Sequence, residues 1–230
     1  MKIVQITDLH LVPGKQDMHG VNPYERLSKC VEDIQQNHSD AELCVISGDL
    51  AHKGEVGAYE DLSEILTRLP MPYRLMVGNH DHRDNLRSVF PETAEDPNGF
   101  IQSSVDLDAG RLILIDSAEK GEKYGTFCQE RAIWLTDQLE GCDGRPAYLF
   151  LHHPPFEIGI PYMDGMRMLH GADLLADTIA PFTNIRHMFL GHVHRPIAGS
   201  WRGLPFSIFR GTAHQVALRL EETEYLVRSH

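Results

Sequence analysis

The sequence predicts an α/β fold with two packed sheets between helices. Three short apolar segments alternate with two amphipathic segments in the first 77 residues, and a strand-rich half follows. Such alternation is typical of parallel strands joined by right-handed crossovers. The second half has too many strand candidates for one doubly wound sheet, so two sheets are expected. The length of 230 residues fits one domain, 1–230.

Apolar spacing defines the elements of the first half. Strands are expected at 3–6, 43–46 and 73–77. Asn22 and Pro23 supply an N-cap and a first-turn proline for a helix. A second helix ends at Pro70. The residues on one face of each helix recur at intervals of three and four: Leu27, Cys30, Val31 and Ile34 in the first, and Tyr59, Leu62, Leu66 and Leu69 in the second.

The second half is predicted to contain more strand than helix. Helices are expected at 129–139 and 172–180, and the segment 154–171 reads as a long loop suited to substrate contact. The predicted strands are 104–107, 112–115, 147–151, 187–190, 206–209 and 216–220.

The acidic composition limits the classes of ligand. With 21 Lys and Arg against 33 Asp and Glu, the chain has a formal net charge of −12, and it contains no basic run. Duplex nucleic acid is therefore a poor ligand, because affinity for it depends on neutralising phosphates. A site for a smaller phosphate compound would need its own local positive charge, which metal ions could supply.

Cysteine usage and the N-terminus favour a cytoplasmic location. The four cysteines show no C-x-x-C spacing, and free thiols in a reducing compartment are expected. The chain becomes charged at Asp8 before the apolar region of a signal peptide could form, and it contains no stretch of about 18 apolar residues. We expect no membrane segment.

Side chains able to bind metal follow five of the predicted strands. Turn chemistry explains Gly, Asn and Asp at such positions, but it does not require the histidines. Open α/β sheets bind ligands at the carboxyl edge of their strands, so these five loops are expected to meet. The segments are Asp8-Leu9-His10, Gly48-Asp49, Gly78-Asn79-His80-Asp81, His152-His153-Pro154-Pro155 and Gly191-His192-Val193-His194.

Two of these segments carry paired ligands. Asp8 and His10 are two residues apart, as are His192 and His194, so an extended backbone would direct each pair to one side. His153 would then point away from its neighbour and is left out of the metal set. Isolated histidines are interpreted as surface or core residues: His19, His38, His187 and His230.

The donor types predict a reactive centre with two divalent ions. Imidazoles, carboxylates and a carboxamide, without thiolates, suit Mn, Fe, Co or Zn rather than a structural zinc site. Seven ligands are too many for one ion, so we expect two ions that share the Asp49 carboxylate. Gly48, Gly78 and Gly191 fit tight turns beside them. The ligands are Asp8, His10, Asp49, Asn79, His152, His192 and His194.

The five motifs, in this order, resemble those of the calcineurin-like metallophosphoesterase family, over residues 8–194. The resemblance implies a four-layer αββα sandwich of two mixed β-sheets flanked by helices. His80 would lie unligated beside the phosphate. The implied ligands are Asp8, His10, Asp49 and His194 for the first metal, and Asp49, Asn79, His152 and His192 for the second.

Within the family, the segments 152–155 and 211–215 are most similar to bacterial class III cyclic nucleotide phosphodiesterases and glycerophosphodiesterases. Purple acid phosphatases match less well, because they have a tyrosine ligand where this chain has His52. No role is assigned to His52, which could be a surface residue.

The implied activity is hydrolysis of small phosphodiesters by a hydroxide that bridges the metals, with Asp49 holding both ions. His80 would protonate or stabilise the leaving group, and Asp81 would either orient His80 or stabilise its loop. The substrate-side candidates are Phe156, Tyr162, Met163 and His214. The loop that carries the first three could instead pack on its own domain or on a partner subunit, and His214 could be structural.

Three alternatives are considered. A phosphomonoesterase or protein phosphatase of the same fold is the nearest. A non-catalytic interaction scaffold would lack ligands or His80, and all of them are present. A repair nuclease would need a basic groove or an added DNA-binding segment. The sequence is compatible with a homo-oligomer but shows no defined interface pattern.

Overall fold

The computed structural model describes residues 2–221 and the backbone of 227–228, so His230 lies outside the described residues. Its first sheet has three parallel strands in the order β1-β2-β3, with Cys44 opposite Val4 and Tyr73. These strands are β1 (Ile3–Ile6), β2 (Leu43–Ser47) and β3 (Tyr73–Met76), and the helices that join and follow them are α1 (Pro23–Asn37), α2 (Val56–Leu66) and α3 (Arg83–Val89).

The predicted start of α1 is confirmed. Asn22 Oδ1 accepts a hydrogen bond from the backbone N–H of Glu25 at 3.0 Å, and Pro23 occupies the first turn. The apolar face of α1 packs on the sheet through Leu27 and Val31, both fully buried. The helix α3 was not predicted, since its seven residues give too short a pattern to detect.

The second sheet has six strands in the order β10-β11-β9-β7-β5-β4. Its four inner strands are parallel, and the two edge strands are antiparallel to their neighbours. The strands are β4 (Ser103–Leu107), β5 (Gly110–Ile115), β7 (Ala147–Leu151), β9 (Ile185–Leu190), β10 (Ile197–Trp201) and β11 (Leu204–Ile208), and the helices of this half are α4 (Gln129–Glu140), α5 (Pro161–Asp164) and α6 (Ala172–Ile179).

Alternating side chains build three apolar layers. In β2, Leu43 and Val45 face the second sheet, while Cys44 and Ile46 face the helices. The side chains of β2 alternate between the two layers because neighbouring residues of a strand point to opposite faces of the sheet. Strands buried on both faces read as continuous apolar runs, which is why they were detectable in the sequence. The predicted fold class, two main sheets flanked by helices, is confirmed.

Three details differ from the sequence expectations. The first sheet is wholly parallel among the described residues, so only the larger sheet is mixed. The predicted loop 154–171 contains α5 and a short strand, β8 (Met168–His170), which pairs with β6 (Gly125–Thr126). The predicted strand 216–220 is reduced to β12 (Gln215–Val216), paired with β13 (Val227–Arg228). Short strands of two or three residues have no periodicity to detect.

Both sheets contribute strand ends to one site. The carboxyl ends of β1 and β2 lie beside those of β7 and β9, because the Ser47 carbonyl is 2.9 Å from His152 Nδ1 and the Asp8 carboxylate accepts the backbone N–H of His192 at 3.1 Å. In the part of the chain that the structure describes, no helix is both long and apolar enough to cross a membrane.

Candidate metal centre

Four side chains at the junction of the sheets form a compact cluster. One ligand atom from each of Asp8, His10, Asp49 and His194 lies within 4.8 Å of the others, and all four residues are buried. His194 Nε2 is 3.1 Å from Asp8 Oδ1 and 3.0 Å from His10 Nε2. The structure thus brings together the residues that the resemblance assigns to the first metal.

A second group of candidate ligands adjoins this cluster. The rings of His152 and His192 have centroids 5.4 Å apart, and Asn79 lines the same cleft as Asp49 and His192. His192 Nε2 and Asn79 Oδ1 are buried and have no hydrogen-bond partner among the described residues. Buried polar atoms are normally paired, so these two atoms fit ligands of an ion.

Asp49 lies between the two groups. Its Oδ1 accepts a hydrogen bond from the backbone N–H of His80 at 3.0 Å. Its Oδ2 is 3.5 Å from His10 Nε2 and 3.3 Å from His152 Nε2. Metal–ligand bonds of about 2.1 Å place neighbouring ligand atoms about 3 to 3.5 Å apart. A carboxylate with one such neighbour in each group is suited to bridge two ions.

Left-handed backbone, rather than an extended segment, presents the paired ligands. The φ angle is 55° at Asp8, 46° at His10, 68° at His192 and 54° at His194. The expectation that extended backbone aligns each pair is therefore wrong. Asp49, with φ of 52°, shares this conformation. Each such residue costs about 1 to 3 kcal/mol, and such strain clusters at functional sites.

Glycines leave room for the ligands. Gly48 has a φ of 100°, and a Cβ atom there would lie 2.5 Å from His152 Nδ1. A Cβ atom on Gly78 would overlap the Asp49 carboxylate. The backbone therefore approaches the ligands at distances that only glycine permits.

Backbone groups orient the ligands across the boundary between the sheets. The carbonyl of Ser47, in β2, lies 2.9 Å from His152 Nδ1, after β7. In the opposite direction, the Asp8 carboxylate, after β1, accepts the backbone N–H of His192, after β9, at 3.1 and 3.2 Å. A proton held on Nδ1 leaves the Nε2 lone pair for an ion. The centre therefore requires both sheets.

The buried carboxylates give the centre an excess of negative charge. Burial acts to raise the pKa of Asp8, but the nearby imidazoles of His194 and His152 outweigh burial and lower it. Burial disfavours charged His152, yet Asp49 raises the pKa of this imidazole to about 9. Burial and repulsion from His152 lower the pKa of His192 to about 3. Protons compensate part of the negative charge, and metal cations would compete with them.

His80 lies beside the cluster and belongs to neither ligand group. Its ring centroid is 4.7 Å from that of His10, and its Nδ1 is 2.6 Å from the carbonyl oxygen of His52. That bond leaves His80 Nε2 for a ligand in the cleft. The rings of His80 and His52 also stack at 5.3 Å.

Asp81 contacts backbone rather than His80. Its carboxylate accepts the N–H groups of Leu50 at 3.1 Å, Ala51 at 3.1 Å and Gly78 at 2.9 Å, and the Tyr59 hydroxyl at 3.0 Å. Burial, followed by repulsion from Asp49, raises the pKa of Asp81 to about 6. Of the two predicted roles, these contacts favour loop stabilisation, because they join the loops after β2 and β3.

Comparison with known proteins decides the family. The family model for calcineurin-like phosphoesterases matches residues 1–196. The chain is 40% identical over 233 residues to a Rhodopseudomonas palustris protein named "Probable cyclic nucleotide phosphodiesterase", covering 100% of this chain and 85% of that relative. The chain belongs to the calcineurin-like phosphoesterase family.

Two further similarities agree with this assignment. An Arcobacter nitrofigilis protein named "Probable glycerophosphodiester phosphodiesterase GpdQ" is 31% identical, over 96% of this chain and 82% of the relative. The crystal structure of a dimetal phosphatase from Danio rerio aligns with a TM-score of 0.70 at 12% identity, over 91% of this chain and 87% of that one, which shows a shared fold. The recognised family is confirmed. It is a dinuclear-metal-dependent family, and the clustered ligands form a possible metal site.

A cleft of about 170 Å³ opens over the centre. We call the seven candidate ligands and His80 the floor, and all of these residues except Asp8 and His152 line the cleft. We call the other side chains that line the cleft its rim: His19, His52, Lys123, Tyr162, Met163, Met166, His214 and Val216.

The structure separates the four substrate-side candidates. Tyr162 and Met163, on α5, line the cleft, as does His214. Phe156 does not line the cleft among the described residues. Its ring instead packs at 4.3 Å from Phe206 in the core of the second sheet. Packing on the chain's own domain thus holds for all three residues, since Met163 is a buried member of the same core and Tyr162 packs against it, but only Tyr162 and Met163 also line the cleft.

Sequence reasoning missed several rim residues. His19, interpreted as a surface or core residue, is exposed but lines the cleft, with its ring 5.3 Å from that of His214. His52, left without a role, lines it too. Lys123 and Met166 were not considered. The one available signal was the position of His52, three residues after Asp49 in a loop already predicted to carry a ligand.

Proposed function

We propose that this chain is a phosphodiesterase that hydrolyses small phosphodiesters, of the cyclic nucleotide or glycerophosphodiester type, with two divalent metal ions. The observation that carries the proposal is the Asp49 carboxylate, placed between two ligand groups and bonded to the backbone of His80. The names of the two relatives support the substrate class. We further propose Mn, Fe, Co or Zn as the metals.

When bound, the two ions would neutralise the phosphoryl oxygens and activate water as the nucleophile. The floor residues fit this chemistry, because their lone pairs converge from both sheets and the carboxylates are held in place by backbone N–H groups. No side-chain nucleophile is required. The phosphate would lie over Asp49, next to His80.

His80 is the proposed general acid. Nδ1–H of His80 donates to the carbonyl oxygen of His52. This bond fixes the His80 ring and leaves its Nε2 directed to the cleft. A proton on Nε2 would pass to the oxygen of the leaving group, so that the departing alcohol is neutral. Such a proton transfer contributes about 10²- to 10⁴-fold to the rate.

The charge of the rim favours diesters over monoesters. A monoester dianion gains more from extra cations than a diester, which has one negative charge. Among the described lining residues, the cleft contains a single lysine, Lys123, and no arginine. Tyr162, Met163 and Met166 provide apolar surface that suits the second organic group of a diester.

The remaining expectations are also proposals. We propose a cytoplasmic enzyme that consists of one domain and does not bind duplex nucleic acid, given the net charge of −12. Phosphomonoesterase activity is the nearest alternative, and a comparison of diester and monoester substrates decides between the two activities.

The test compares bis(p-nitrophenyl) phosphate with p-nitrophenyl phosphate as substrates for protein loaded with Mn²⁺. The proposal expects kcat/KM to be at least about tenfold higher for the diester. Metal-stripped protein is the control and should be inactive toward both. A clear preference for the monoester would refute the diesterase proposal. Absence of hydrolysis with every divalent metal would refute the proposal that the chain is a phosphoesterase.

A further inference from the structure

We propose that Lys123 is a specificity-determining residue that contacts the substrate phosphate from the solvent side of the cleft. The inference rests on the proposed function, since it concerns the substrate of the same site. It adds a charged residue to a rim that otherwise consists of histidines and apolar side chains. Lys123 belongs to none of the ligand motifs and lies on the segment between β5 and β6.

Lys123 is available to a substrate. Its side chain is exposed at the cleft, alongside Asn79 and His80 of the floor. No described residue forms a hydrogen bond or an ion pair with its ammonium group. By contrast, Lys15 is paired with Glu64 and Arg83 with Asp116, so their charges are already compensated.

The segment that carries Lys123 packs against His153, which is next in sequence to the floor residue His152. At its start, Ser117 Oγ lies 2.9 Å from His153 Nδ1, and His153 directly follows the candidate ligand His152. At its end, Thr126 N–H donates to the Ser117 carbonyl at 2.9 Å. Gly125 packs so closely on the His153 ring that a Cβ atom would lie 2.6 Å from it.

These contacts give His153 a positioning role. The expectation that this buried ring points away from the metal ligands is wrong, because its centroid is 4.7 Å from that of His192 and one ligand atom from each of His152, His153 and His192 lies within 4.8 Å of the others. Its Nδ1 lies 2.9 Å from Ser117 Oγ. It therefore acts as the support against which the β5–β6 segment closes. A support next in sequence to a ligand keeps Lys123 in a constant position relative to the floor.

The single positive charge of Lys123 has a measurable effect on the binding of anionic substrates because the chain as a whole is acidic. With a net charge of −12, the protein repels anions, and Lys123 supplies local attraction at the entrance. Coulomb energy scales with the product of the charges, so the ammonium group attracts a monoester dianion about twice as strongly as a diester monoanion. Its loss should therefore affect the two substrates unequally.

Lys120 provides a matched control. It lies three residues before Lys123 on the same segment, but it lines a different groove, together with Arg83, Arg87 and Glu119. Replacing either lysine removes one positive charge from the same segment and changes the net charge equally. Only Lys123 is at the cleft among the described residues.

The experiment measures kcat and KM for Lys123→Met, Lys123→Arg and Lys120→Met, each loaded with Mn²⁺. We expect Lys123→Met to raise KM for bis(p-nitrophenyl) phosphate about 3- to 10-fold, with kcat changed less than about twofold. For p-nitrophenyl phosphate the increase should be about the square of that factor. Lys120→Met should stay within about twofold of wild type, and Lys123→Arg, which retains the positive charge, should recover most of the loss seen in Lys123→Met.

Binding of inorganic phosphate, measured by calorimetry on the same metal-loaded proteins, gives a readout independent of turnover. Lys123→Met should bind phosphate at least about tenfold more weakly than wild type, and Lys120→Met should not. Equal behaviour of the two methionine variants in both assays would overturn the inference. Wild-type protein that binds phosphate through Lys123 but hydrolyses neither ester would refute the proposed function and leave this contact standing.

Discussion

The floor and the rim of the cleft are built on different principles. Floor residues follow strand ends and most are buried, and backbone groups of the opposite sheet fix several of them, as Ser47 fixes His152. Rim residues such as Lys123 and Tyr162 come from loops and a one-turn helix, and their exposure ranges from exposed Lys123 to buried Met163. The difference indicates that the floor determines the chemistry and that the rim determines which ester is accepted.

The largest effect is expected at the centre of the floor. Asp49→Ala removes the carboxylate oxygen that lies within 3.5 Å of both His10 and His152. Both ions should lose a ligand, and activity toward bis(p-nitrophenyl) phosphate should fall about 10³-fold or more. Metal analysis should find less than one ion per chain, in a variant whose circular dichroism matches wild type. A variant that keeps both ions would show that Asp49 is not the bridge.

His80→Ala should separate chemistry from metal binding within the floor. His80 belongs to neither ligand group, so the variant should keep its full metal content, while kcat falls about 10²- to 10⁴-fold. Metal analysis beside steady-state kinetics is the measurement. Metal loss equal to that of Asp49→Ala would make His80 a ligand and exclude the general-acid role.

The smallest effect is expected at the rim. Tyr162→Ala should lower kcat/KM for the diester about 3- to 10-fold with unchanged metal content, because it removes apolar surface that lines the cleft. Phe156→Ala is the control. Its ring packs on Phe206, so the expected result is a lower melting temperature with nearly normal kinetics. A larger kinetic effect from Phe156→Ala than from Tyr162→Ala would show that Phe156, rather than Tyr162, contacts the substrate.

The floor was predictable from the sequence because its ligands follow apolar strands. The runs 43–46 and 147–151 are buried on both faces, and their ends fix the positions of Asp49 and His152. The left-handed conformation of Asp8 and His10 could not be predicted, because a two-residue spacing is also compatible with an extended strand. The alignment within each pair was thus expected for a reason that proved wrong.

The rim was harder to predict because no period connects its residues. His19 has a φ of 51° in a loop before α1, and Lys123 comes from a segment about 100 residues later. Only tertiary packing brings them to one cleft. The same limit explains Phe156, whose ring packs on Phe206, whereas Tyr162 packs against the same core and also lines the cleft. Composition alone could not distinguish these two aromatic residues.

The most direct test of the central claim is a metal titration of stripped protein. Activity toward bis(p-nitrophenyl) phosphate should be absent without metal, rise as Mn²⁺ is added, and reach its plateau at two ions per chain. Calorimetry on the same samples should count two bound ions. Full activity at one ion per chain, or activity that persists after complete metal removal, would contradict a centre in which Asp49 joins two ions.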